Sequence, residues 1–278
     1  MIEHAEAAYG EGTSQFVRLT APTGDVSLAT MVVIVHGGFW KQKYTMDSAA
    51  IETLAPALCT LGDNVGAVEI EYRRLGDEGG GWPGSVEDVV AAILHVRLEL
   101  SKVAPWSRLR DSRLVLLGHS AGGHSALVAA HRLAALGFAP ALAVALAPVA
   151  DLSDAFDRQL SDEGDAVQLF MHGATPVSDP EVYARASPAE SMLPLVTPTL
   201  LVAAVDDADV PPDYVRRFFH KAKNAATNAT AEGNAQHPLH YLELGGADHY
   251  AIVDASTDAW ATTWRVVAAF LREGAWCE

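Results

Sequence analysis

LVLLGHSAGGHSALVAAHRL, residues 114–133, passes without a break from a short apolar run into a helical pattern, and Ser120 stands where one becomes the other. A continuous apolar run of this length suits a strand covered on both faces, while the alanine, leucine and valine that follow recur at helical spacing. Between them, Gly118-His119-Ser120-Ala121-Gly122 has the form G-x-S-x-G. Glycines on both sides of the serine permit a turn tight enough to hold its side chain up in a strained conformation. The helix that follows aims its first N–H groups at that serine, favouring negative charge there. A serine at a bend is otherwise a turn residue; the strand before it and the helix after it favour a nucleophile.

Outward from this stretch, short Val/Ile/Leu-rich runs alternate with longer amphipathic ones, the pattern of a mostly parallel sheet flanked by helices. Strands are expected at 31–35, 65–72, 113–117, 142–146, 199–205 and 239–244, with helices at 48–61, 85–101, 121–136, 213–223 and 255–272. Two segments break the rhythm. Residues 150–196, rich in Asp, Ser and Pro, are long enough to be a lid, and 224–237, poor in large apolar residues, read as a mobile surface loop.

Ligands of open parallel sheets bind beyond the carboxyl ends of the strands, so the residues that follow each strand carry the chemistry. After 31–35 comes HGGFW, His36 to Trp40, where two glycines allow close backbone approach. The N–H groups of Gly38 and Phe39 are then candidates, with that of Ala121, to bind an oxyanion. After 199–205 comes DDADVPPDY, whose Asp206, Asp207 and Asp209 are all candidates for a carboxylate that orients a histidine. After 239–244 comes GGADHYAIVD, which puts His249 in a glycine-rich loop before the last helix; His237 and His240 compete, one in the polar loop and the other opening a strand. Ser, Asp and His in that chain order, each following a separate strand, is the order of an α/β-hydrolase. Trp40, Tyr72 and Trp82 are candidates to shape an aromatic-tolerant pocket.

Composition narrows the partners. The 278 residues are 50% hydrophobic and 19% charged, a globular composition with no linker-like shift, read as one domain. A formal charge of −16 makes the phosphate term repulsive and argues against nucleic acid or an anionic membrane. The first ten residues, MIEHAEAAYG, are acidic without an apolar run, so no secretory signal is expected. The longest apolar stretch, 138–150, is too short to span a bilayer and contains Pro140 and Pro148. Cys59 and Cys277 are the only cysteines and lack metal-ligand spacing, so a reducing cytoplasm is the default, with one bridge between them left open.

HGGFW, EYRRL, WPGSVEDVVAAI, GHSAGGHSALVAA, SPAESM, PTLLVAAVDDADVPP and ADHYAIVD follow one another over residues 28–272. The chain thereby resembles α/β-hydrolases of the esterase/lipase group, and within it the kynurenine formamidase (arylformamidase) and carboxylesterase branch with HGG-x-W and GHSAGGH. The resemblance implies Ser120 as nucleophile, His249 as base and, through the D-x-x-V-P pattern, Asp207 as acid. It implies a serine hydrolase acting on a small-molecule ester or aryl amide with a short acyl group, without metal or organic cofactor. An exopeptidase-like hydrolase would call for an extra domain or an amine-binding acidic cluster, and a non-catalytic binding protein for loss of a triad member. The oligomeric state stays open, a homodimer among the options.

Overall fold

A computed structural model of the protein describes residues 1–49, 51–60, 64–161, 163–232 and 237–276. Its strands are Ile2–Ala8 (β1), Phe16–Pro22 (β2), Thr30–Val35 (β3), Val65–Glu71 (β4), Arg113–His119 (β5), Leu142–Leu146 (β6), Thr199–Ala204 (β7) and Leu239–Leu244 (β8). They form one eight-stranded sheet in the order β1-β2-β4-β3-β5-β6-β7-β8. β2 runs antiparallel to both its neighbours, and β4, β3 and β5 to β8 are mutually parallel. Every residue of β3, β4, β6 and β7 is buried. Each Val, Ile or Leu so covered contributes roughly 1.5–3 kcal/mol, which makes this the rigid part of the molecule.

The helices are Leu54–Thr60 (α1), Gly84–Leu98 (α2), Ala121–Ala135 (α3), Leu152–Asp157 (α4), Ala166–Phe170 (α5), Pro180–Ala186 (α6), Pro188–Ser191 (α7), Pro212–Ala231 (α8) and Asp258–Glu273 (α9). α1 lies against β2 and β4, α3 against β5 and β6, and α8 against β7 and β8. α9 is capped at both ends: Thr257 Oγ1 accepts from Trp260 N–H at 3.1 Å, and Gly274 takes the left-handed conformation beyond its last turn. β3 pairs with β4 on one side and β5 on the other, so chain order reverses between β3 and β5. That is where a doubly wound sheet opens a crevice at its carboxyl edge.

Three expectations are corrected. The sheet has two more strands, β1 and β2, because the alternating Glu, His and Ala of β1 make an edge strand with one wet face rather than an apolar run. α1 starts at Leu54 instead of 48, and residues 41–49 form turns. The loop expected at 224–237 is helical through Ala231, since alanine is the best helix former and Ala222, Ala226 and Ala229 give α8 a narrow buried face. Residues 233–236 of that stretch lie outside the described residues, as does Cys277. Residues 150–196 hold four short helices, α4 to α7, packed on the body of the fold: Ser187 Oγ donates to Ala150 O, and Ala186 O accepts from His124 Nε2 in α3. Cys59 is a free, buried thiol whose Sγ–H donates to Thr20 O, and burial pushes its pKa up to about 11. Among the described residues no helix is long and apolar enough to cross a membrane.

Candidate active site

Ser120 ends the β5 turn with φ 57° and ψ −120°, a conformation that costs a non-glycine residue on the order of 1–3 kcal/mol and persists only when its surroundings fix it. They do: Ser120 N–H donates to Leu146 O of β6 at 2.8 Å, and Ser120 O accepts from His124 and Val149 N–H. The turn is closed tightly enough that a Cβ on Gly122 would lie 2.1 Å from Val35 O. The Ser120 side chain is buried, and its Oγ bonds to no other described residue.

The loop after β3 runs beside it. Gly38 has φ 98°, and a Cβ there would lie 2.3 Å from the Cβ of Tyr44, so glycine is required twice over. Ala121 opens α3, so its N–H is among those at a helix start that have no partner within the helix. Gly38, Phe39, Ser120 and His249 line one pocket, which encloses about 530 Å³, part of it open solvent.

His249 enters from the loop after β8 and Asp207 from the turn after β7. Asp207 Oδ2 lies 2.7 Å from His249 Nδ1, while its Oδ1 accepts from the N–H groups of Asp209 and Val210 at 2.9 and 2.7 Å. Both side chains are buried. A carboxylate at Nδ1 holds the proton there and leaves Nε2 as a bare acceptor. Asp206 is exposed and, among the described residues, is held through its backbone N–H, which donates to Ala247 O, and Asp209 is half-buried on the pocket wall. His240 stacks on Trp276 within β8, and half-buried His237 lies before that strand, so neither competes with His249. Asp207, Asp209 and His249 bring one ligand atom each within 4.8 Å of one another. Within that set Nδ1 is already bonded to Asp207.

The aromatic residues expected in the pocket lie elsewhere. Trp40 is fully buried and stacks on Phe170 at 3.9 Å, turned inward by the positive φ of Phe39 and of Trp40 itself. Tyr72 is fully buried, stacks on His36 and donates to His36 O at 2.9 Å, bracing the loop after β3 from below. Trp82 lies in a separate groove under the guanidinium of Arg132. The aromatic walls are instead Phe39, Tyr44 and the exposed Tyr250, joined by Lys41 and Ser48; no described residue of 150–196 lines the pocket. That segment meets the pocket rim through an ion pair between Glu163 and Lys41, and its residues 158–161 line a neighbouring groove with Asp209.

Sequence reading missed the buried charges that hold residues 41–49. Glu71 and Arg74 pair at 2.6 Å with both side chains at most 6% exposed, Glu71 accepts from Met46 N–H, and Arg74 donates to Tyr44 O at 2.6 Å. Charges at the end of a strand otherwise buried throughout, Glu71 and Arg74 in EYRRL, were the available signal.

A model of the BD-FAE family matches residues 19–221, more than half of the chain. The chain belongs to the BD-FAE family. Its fold is that of α/β-hydrolase esterases. Across 96% of this chain and 95% of the other it is similar to a truncated carbohydrate esterase from gut microbiota, with 16% identity and a TM-score of 0.74. A Pyrobaculum calidifontis esterase is 18% identical, covering 100% of this chain and 86% of that one, with a TM-score of 0.70. Carboxyl esterase 2 of the mycorrhizal fungus Tuber melanosporum is 17% identical over 98% and 87%, with a TM-score of 0.71. No curated protein matches the sequence.

Two buried histidines give this BD-FAE member a pH-dependent stability. His124, enclosed by Trp40 and Phe170, has its pKa pushed from 6.5 down to about 4 by burial, although Ala186 O accepts from its Nε2; burial, with His249 beside it, also lowers His119 well below 6.5. The unfolded chain therefore binds protons that the fold refuses. The histidine contribution is whole above about pH 6.5 and is lost as pH falls toward 4, while Glu69, whose carboxyl burial pushes up to about 7, acts in the opposite sense as pH falls through that value. His124 accounts for about 3 kcal/mol of that loss, from its pKa difference at 1.36 kcal/mol per unit. His124→Gln, which keeps a donor for Ala186 O but cannot ionise, is expected to gain urea-unfolding free energy relative to wild type as pH falls from 6.5 to 4; a difference that does not change with pH would remove His124 from the titration.

Proposed function

We propose that the protein is a serine hydrolase cleaving small carboxylic esters through an acyl-serine intermediate. The observation that carries this reading is the 2.7 Å bond from Asp207 to His249 Nδ1 at a pocket that also holds Ser120 in its strained turn. In this reading His249 Nε2 takes the Ser120 Oγ proton as the oxygen attacks the ester carbonyl carbon. The N–H groups of Gly38, Phe39 and Ala121 bind the oxyanion, each such donor being worth about 10²–10³ in kcat. As the tetrahedral species collapses, His249 returns the proton to the departing alkoxide. Water then repeats the sequence on the acyl-serine and releases the acid.

Tyr44 and Tyr250 favour a flat, aromatic leaving group, while the turns of 41–49, tied to Glu71 and Arg74, confine the acyl side. p-Nitrophenyl acetate or butyrate is therefore expected to be cleaved with higher kcat/KM than the decanoate. A preference for long chains would overturn the confined pocket. The HGG-x-W and GHSAGGH motifs extend the proposal to aryl amides with a small acyl group, N-formylkynurenine among them. Ester turnover without formamidase activity on one preparation would discard that extension alone. A fluorophosphonate probe is expected to label Ser120, read by peptide mass. An unlabelled protein would leave a non-catalytic binder on this fold.

A further inference from the structure

His119 is the last residue of β5 and immediately precedes Ser120, yet the proposed chemistry gives it no task. Its side chain points at the base. Nε2 lies 2.9 Å from the backbone carbonyl of His249, and the two imidazoles sit with centroids 4.4 Å apart and planes tilted by 44°. A carbonyl only accepts, so Nε2 carries the hydrogen. His119 is 2% exposed, and its Nδ1, buried against Gly37, bonds to no other described residue. A second proton on the ring would have no acceptor there, and His249 is the titratable group that faces it.

Resting on the hydrolase reading, we infer that His119 is a positioning residue, a strut that sets the distance between nucleophile and base. His249 is held at two points. Asp207 fixes the tautomer and orientation of its ring, while His119 fixes its backbone. Only the second tie runs through a residue covalently joined to Ser120, so it couples the elbow after β5 to the loop after β8, elements separated in the sheet by β6 and β7. Because the strut touches main chain, it needs only a donor at the right reach and remains neutral through catalysis.

Gln and Asn at this position separate the strut from simple packing. The amide nitrogen of Gln falls about where His Nε2 does, whereas that of Asn falls near Nδ1 and leaves the His249 carbonyl unbonded. His119→Asn is expected to lower kcat about 100-fold, the usual cost of a misplacement near 1 Å, with KM little changed and fluorophosphonate labelling of Ser120 slowed in proportion. His119→Gln is expected to recover most of both rates and to keep a single-proton rise of kcat/KM with pH. Rates are normalised to labelled enzyme, so a loss of folded protein does not mimic a loss of kcat. Wild-type kcat in the Asn variant, or a Gln variant as slow as Asn, would overturn the strut. If the Asn variant fails to fold, the Gln variant decides alone: near-normal kcat supports the strut and a hundredfold loss overturns it. A wild-type protein inert to the probe would overturn both this inference and the hydrolase reading, whereas a reactive wild type with an equally reactive Asn variant would overturn this one only.

Discussion

Ser120→Ala is expected to reduce ester turnover by about a millionfold, the scale seen when the nucleophile of a serine hydrolase is removed, while leaving the fold at least as stable. The activity half follows from chemistry: alanine offers no oxygen to form the acyl intermediate, and what remains comes from the oxyanion donors and binding. The stability half follows from the local structure. The Ser120 Oγ is buried without a hydrogen-bond partner among the described residues, so deleting it leaves no donor or acceptor stranded. The backbone strain at φ 57° is common to serine and alanine, so it cancels in the comparison. Ser120→Gly removes the strain as well, and should raise the urea midpoint above that of Ser120→Ala. Initial rates on p-nitrophenyl butyrate and urea midpoints on the same preparations test both halves. Turnover within tenfold of wild type in either variant would remove Ser120 from the chemistry.

Much of the site was legible because its residues serve backbone geometry as well as chemistry. Gly38 and Gly122 are forced by approaches of 2.3 and 2.1 Å, and such constraints leave local motifs that can be read one stretch at a time. The central strands were legible for a similar reason: burial on both faces requires uninterrupted apolar runs. What escaped depends on which residues meet across the fold. Trp40 looks like a pocket residue beside HGG, but its partner is Phe170, 130 positions away, and only that contact decides which way it faces. The pocket wall at 41–49 carries no motif of its own because its shape is imposed by Glu71 and Arg74 from another strand end. β1 was missed because an edge strand needs one apolar face only, and α8 was cut short because its inner face is alanine, which buries little area but packs close to the sheet.

The proposed acid is the residue on which sequence and geometry can be tested most sharply, since Asp206, Asp207 and Asp209 lie within four positions. Asp207→Asn is expected to cost about ten-thousandfold in kcat with little change in shape, for a reason visible in its hydrogen bonds. Asp207 Oδ1 accepts from two backbone N–H groups, those of Asp209 and Val210. An asparagine must keep its one carbonyl oxygen there, because turning its NH2 toward two donors would leave three buried groups unpaired. Its NH2 then faces His249 Nδ1, from which the carboxylate had accepted a hydrogen bond at 2.7 Å. Nδ1 becomes the acceptor, the ring hydrogen moves to Nε2, and the imidazole meets Ser120 as a donor unable to take its proton. Asp206→Asn changes an exposed side chain whose residue is held through its backbone N–H, and should leave kcat within a few-fold of wild type. Asp209→Asn alters the pocket wall and should act on KM more than on kcat. The three variants, assayed on one short-chain ester across pH, are decisive as a set: a loss at Asp206 as deep as that at Asp207 would move the acid one residue upstream, and equal, shallow losses at all three would leave His249 without an orienting carboxylate.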